Sequence, residues 1–261
     1  MRRAICTVLV LGTLAAGCAR QTETKEKEPP KPSPAVARLL KIAQSPAAAL
    51  DPLDAPAAPR GFARVDVLRL ARWLVDAVER TSSAGVEDVR TTRDAVDHTF
   101  AALDMRSRVR IRDLLVSSSR ERYRSMPVDW IVVDRWERGH EPEAGPRIVK
   151  SAWRVGVDEG HLELKLQVLQ AYVSVAGIPM FLDRTFSLTS ADPSRSPAEP
   201  VHFGAYAKVL GIDRCHVVRT GRFRPETDTA KLAKLPASLE RDVKAKGMRE
   251  SFDGDFRRGC D

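Results

Sequence analysis

"HLELKLQVLQAYVSV", His161 to Val175, is the stretch on which the fold turns. Leu162, Leu164, Leu166 and Val168 fall on every second residue and share one side of an extended chain, while His161, Glu163, Lys165 and Gln167 take the other. A helix would scatter both sets around its circumference. From Leu169 onward the apolar residues sit at odd positions, Leu169, Ala171, Val173 and Val175, so a bulge or tight bend near Val168 is predicted to reset the phase.

Working outward, Trp130 to Arg135 alternate in the same way, and "RIVKSAWRVGV" follows a loop bearing Gly139, Pro142, Gly145 and Pro146. Further strands are predicted around Phe181 to Leu188, Val201 to Leu210 and Arg214 to Phe223. Parallel neighbours would need crossover helices, and none fits between these runs, so the sheet is expected to be mainly antiparallel with six to seven strands.

Helices flank it. "VDVLRLARWLVDAVERT" places Val67, Leu70, Ala71, Leu74 and Val78 on one face, with Asp66 as the expected cap. A second helix follows on Val89, Val96, Phe100 and Leu103. "RSRVRIRDLLVSSSRERYRSM" reads as a strand through Val109 and Ile111, or as a helix through Ile111, Leu114, Leu115 and Ser118; helix is preferred. Leu232, Leu235, Leu239 and Val243 give a last helix, with Gly247 suited to its end. The expectation is an α+β fold: N-terminal helices, the sheet, then a C-terminal helix, in one domain over 61–261. Residues 35–60 are expected to hold a short helix on Val36, Leu39, Leu40 and Ala43 and an Ala/Pro-rich linker.

At the amino end, Arg2 and Arg3 precede thirteen uncharged residues, Ala4 to Ala16. As a helix they would cover roughly 20 Å, short of a hydrocarbon core of about 30 Å, so they suit an export signal better than a membrane span. Leu14-Ala15-Ala16-Gly17-Cys18 resembles the lipobox of bacterial lipoprotein precursors, although the commonest pattern has leucine where this chain has Ala15. The resemblance implies a signal peptide over 1–17 and lipid on Cys18, which makes the membrane a partner. Ala19 after the cysteine, in place of aspartate, further implies the outer membrane, facing the periplasm or the surface. Two alternatives stay open: ordinary cleavage after Ala19, which discards Cys18, and a buried amino-terminal helix. Residues 18–34 carry Lys25, Lys27, Lys31, Glu23, Glu26, Glu28 and four prolines with no apolar face, and read as a disordered tether.

The full chain has formal charge +8, leaving +6 once residues 1–17 are removed. That charge is spread through mixed-sign segments, which is not the footprint of a nucleic-acid binder. The partners expected are an envelope protein, glycan or lipid. In an oxidising compartment Cys215 and Cys260 are expected to form a disulfide, pinning the carboxyl end to the sheet. Cys215 beside His216 could instead suggest a thiolate nucleophile, but strand neighbours point to opposite faces.

No nucleophile elbow, phosphate loop, His-Glu-x-x-His or Cys-x-x-Cys motif occurs, and no cofactor is implied. Asp94, Asp97 and His98 share one side of a helix and are candidate metal ligands, against the simpler reading of a solvated face. His161 and Glu163 share a strand face and are candidate acid/base residues, against the alternation any half-exposed sheet shows. "FDGDF", with Asp253 and Asp255, has too few ligands for a calcium loop. Trp73, Trp130, Trp136 and Trp153 suit aromatic platforms and core packing equally.

A lipid-anchored binding or structural module is therefore the leading expectation. One alternative is a pocket enzyme using His161 and Glu163, since helix-then-sheet order resembles nuclear-transport-factor-2-like domains; another is a lipid carrier with an apolar cavity.

Overall fold

The computed structural model describes residues 32–83, 89–122, 131–190, 200–248 and 260, the side chains of 117–122 and 200–202 excepted. Four strands, β1 (Arg147–Asp158), β2 (His161–Val173), β3 (Pro179–Ser190) and β4 (Pro200–Leu210), pair antiparallel in chain order. β1 turns into β2 through Glu159 and Gly160, both at positive φ (48° and 81°), the twist a two-residue hairpin needs. Leu162, Leu164, Leu166 and Val168 are fully buried along one face of β2.

β2 keeps one unbroken register with β3 from Glu163 to Val173, so the bulge expected near Val168 is absent from it. The irregularity lies across the ladder in β1, between Ile148 and Lys150, opposite Gln170 and Leu169. The apolar phase changes because the second face of the sheet becomes covered as well. There Leu169, Ala171, Phe181 and Leu210 pack beneath Leu39 and Ile42 of α1 (Pro34–Ala43) and Leu232 and Leu239 of the last helix (Thr229–Lys244). Burying each such leucine contributes roughly 1.5–3 kcal/mol.

The first face carries the larger core. α2 (Arg64–Arg80), α3 (Thr92–Thr99) and α4 (Met105–Arg122) lie on this side, and Leu70, Leu74, Val96, Ile111 and Leu115 pack with Leu162 to Val168. Phe100 meets Phe203 edge-on, ring centroids 4.6 Å apart at 70°. Asp66 is not the cap of α2: Ala63 holds that position without a side-chain bond, and Asp66 sits in the first turn, 3.8 Å from Arg69. Its charge still favours the helix there through the macrodipole.

The described residues hold four strands where six to seven were expected, for three separate reasons. The two apolar phases of β2 belong to one strand. Arg214 to Phe223 is mostly helix, α5 (Arg214–Thr220): the Asp213 carboxylate accepts the His216 N–H at 3.0 Å and Gly221 closes the end at φ 67°. Those two caps override the strand preference of Val217 and Val218. Ile131 to Arg135 runs through the core without joining the sheet, and side chains satisfy two of its carbonyls: Thr99 Oγ1 donates to Val132 O at 2.8 Å and Arg184 Nε to Ile131 O at 3.1 Å, while the Phe223 N–H donates to Arg135 O at 2.6 Å.

α6 (Thr229–Lys244) follows α5 and pairs with α1 through Arg38 and Glu240 at 2.8 Å. α1 thus lies in the same unit as the sheet, Pro32–Asp261, and the Ala/Pro-rich stretch after it touches the edge of β1, Ala48 N–H donating to Ile148 O at 2.7 Å. A disulfide joins Cys215 to Cys260 and so ties the carboxyl end to α5 instead of the sheet. No helix among the described residues is long and apolar enough to cross a membrane.

Candidate functional site

α1 and α6 cover the half of the second sheet face that lies farther from the β1–β2 hairpin. Nearer the hairpin the same face shows His161, Glu163, Lys165 and Gln167 of β2, with Thr189, Ser187 and Thr185 of β3 in register and Tyr206 of β4 beyond. Lys165 Nζ lies 3.3 Å from Glu163 Oε2, with both side chains partly exposed. His161 Nδ1 is buried and has no hydrogen-bond partner among the described residues. His161 and Glu163 therefore do share a face, but Glu163 is engaged by the lysine two residues on.

Asp183 stands at the inner border of this surface, in a cross-sheet row of Lys150, Leu169, Asp183 and Lys208. The Gln167 amide donates to both of its oxygens, at 2.9 and 3.2 Å. Burial pushes the Asp183 carboxyl up to about 6, and the nearby Asp242 of α6 adds to the rise, against the pull of Gln167, Lys208 and Lys150. A carboxyl that holds its proton more tightly folded than unfolded stabilises the fold below the unfolded pKa of 3.8, and that contribution is lost as pH rises through about 6. Two units correspond to about 3 kcal/mol. Asp183→Asn is accordingly expected to exceed the parent in stability by up to about 3 kcal/mol at neutral pH, the gap closing toward about pH 4. Denaturant midpoints measured at both ends of that range check it; a gap independent of pH contradicts it.

The metal candidates diverge in space. Asp94 completes a capping box: it accepts the N–H groups of Thr91 (2.9 Å) and Arg90 (3.2 Å), while its own N–H bonds Thr91 Oγ1. The Thr91 side chain and those backbone groups hold its carboxyl below the ordinary range. Asp97 pairs with Arg108 at 3.2 Å and Arg93 at 3.7 Å. His98 Nε2 lies 2.9 Å from Arg80 O and 3.1 Å from Ser83 Oγ. A carbonyl can only accept, so that nitrogen carries the proton, and His98 cannot act as a base toward Ser83 through it. No cluster of three metal-ligating side chains occurs among the described residues. Asp253, Asp255 and Trp130 lie outside the described residues.

Sequence reasoning missed a buried polar node on the first face. Arg184 is fully buried, with Nη2 2.7 Å from Asp134 Oδ1, Nη1 donating to Gln170 Oε1 at 2.6 Å and Nε to Ile131 O. The Tyr172 hydroxyl donates to Asp134 Oδ2, and Gln170 Nε2 to Thr81 Oγ1 at 3.2 Å. Burial pushes the Asp134 carboxyl above its ordinary range against Arg184 and Tyr172, and burial beside that carboxylate raises Tyr172 further still. Within an apolar run, "FLDRTFSL" was a usable signal: period two sends Asp183 and Arg184 to opposite faces of a strand buried on both.

Among the described residues an open groove of about 540 Å³ runs along α1, lined by Ala37, Leu40 and Lys41 among others, and a crevice of about 20 Å³ between α3 and α4 is lined by Asp97 with Arg93 and Arg108. Compared with family models, curated proteins and solved structures, the chain shows no match.

Proposed function

We propose that this protein is an envelope lipoprotein, held to a membrane through lipid on Cys18, whose α+β body acts as a binding or structural module. The sequence Leu14-Ala15-Ala16-Gly17-Cys18, followed directly by a charged, proline-rich segment, carries the reading. The tether that precedes the folded unit, residues 19–31, would reach roughly 40 Å when fully extended, enough for the body to stand clear of the headgroups. The Cys215–Cys260 disulfide fits an oxidising compartment outside the cytoplasm.

The body meets its partner through the polar half of the second sheet face. Glu163, Lys165, Thr185, Ser187 and Tyr206 offer hydroxyl groups and mixed charge, which suits a hydrogen-bonding partner, a glycan or a protein, better than an acyl chain. Membership of the outer membrane belongs to the same proposal.

Intact-mass measurement on protein extracted from membranes tests the anchor. Acyl mass on a chain beginning at Cys18 is expected, and Cys18→Ser should move the protein to the soluble fraction, because each buried methylene of the lipid contributes roughly 0.8 kcal/mol to retention. Native protein that is soluble, acyl-free and begins downstream of residue 18 overturns the reading.

A further inference from the structure

β1 forms one edge of the sheet. The hairpin closes on Asp158 and His161, whose backbone groups face each other, so the N–H and C=O of Val157, Val155 and Trp153 point away from β2. The far end of that edge is occupied: Ala48 N–H bonds Ile148 O, and Ser151 Oγ donates to Ala49 O at 3.1 Å. No hydrogen bond to the outward groups of Trp153, Val155 or Val157 occurs among the described residues. Their side chains share the first face, with Val157 51% exposed and the other two half-buried. An edge with no partner among the described residues, carrying apolar side chains, is a template for another strand.

We propose that this edge pairs with the same edge of a second copy of the chain, antiparallel about Val155, joining two four-stranded sheets into one. The choice of partner follows from how the strand matches itself. A two-fold axis through Arg154 would set two guanidinium groups opposite each other, which is unfavourable. An axis through Trp153 would bring Val157 against Val149, beside the edge that Ala48 already occupies. An axis through Val155 uses only the open residues. Trp153 then meets Val157 twice, Val155 meets its own copy, and Arg154 lies across from Gly156, where a β-carbon would find nothing within 4 Å. Three outward residues on each copy form about six hydrogen bonds.

Sedimentation equilibrium on the mature chain carrying Cys18→Ser tests this independently of the lipid anchor. A concentration-dependent monomer–dimer equilibrium is expected. Val155→Pro removes an outward N–H and no β1–β2 bond, so it should leave a folded monomer. Val157→Lys, at a half-exposed position where folding tolerates it, should weaken association about tenfold by putting a charge across from each Trp153. Should Val155→Pro misfold, the lysine variant decides the matter alone. Parent protein that stays monomeric at every concentration overturns the proposal, as does a dimer that Val157→Lys leaves as tight as the parent's.

Discussion

Arg184→Met is expected to destabilise the protein by about 3–5 kcal/mol, the range for breaking a buried ion pair by removing one partner. The guanidinium serves three groups at once: it forms an ion pair with the Asp134 carboxylate and donates to Gln170 Oε1 and to the main-chain carbonyl of Ile131. Methionine fills a similar volume and donates to none of them, leaving a carboxylate buried without its cation. That carboxyl then takes up a proton. With its folded pKa raised well above the unfolded one, it binds the proton more tightly in the folded state, so the deficit of Arg184→Met should shrink as pH falls from neutrality toward about 4. Asp134→Asn keeps an acceptor for Tyr172 and removes the charge that Arg184 left unmatched. Adding it to Arg184→Met should lose less than the two single changes summed, by a coupling of about 0.5–3 kcal/mol. Denaturant unfolding of the four proteins supplies the cycle, and simple additivity would show that the two groups are not partners.

That node also marks the limit of what could be read from the chain alone. Leu162 to Val168 declared their face because one side of β2 there is buried and the other is partly wet, which is the condition that makes alternation visible. Beyond Val168 both faces are covered, so the alternation dissolves and resembles the phase slip of a bulge. The same ambiguity hid Ile131 to Val133, buried all round like a central strand yet hydrogen-bonded by Thr99 and Arg184 in place of neighbouring strands. Whether a buried backbone finds its partners in a ladder or in side chains is decided by residues remote in sequence, here about 30 to 50 positions away, which no local window reports. α5 was lost differently. Its caps, Asp213 and Gly221, are present in the sequence, but the β-branched pair Val217 and Val218 between them also suits a strand. Among the candidate residues, shared placement of His161 and Glu163 follows from period two, and the Thr91–Asp94 capping box is local to the start of α3, whereas the engagement of Asp97 and His98 depends on Arg108 and Ser83, whose positions only the packing of α2, α3 and α4 fixes.

Opening the Cys215–Cys260 bond is expected to lower stability by about 4 kcal/mol in the chain-entropy account, because the unfolded chain regains the freedom of a loop of about 46 residues. The closed loop contains all of α6, and α6 supplies Leu232 and Leu239 to the layer over the second sheet face. With the bond broken, α6 is held by that apolar contact and by ion pairs such as Arg38 with Glu240, a partly exposed pair that adds little. The loss should therefore appear first as early release of α6 and α1, ahead of the larger core on the first face, which contains neither helix. Hydrogen exchange separates the two: amides of α6 should exchange much faster in a Cys215→Ser/Cys260→Ser protein while those of β2 and α2 remain protected under mild conditions. Denaturant midpoints for the oxidised, reduced and double-serine forms give the total, with the last two expected to agree. Equal midpoints for all three would mean that α6 is fixed by packing alone.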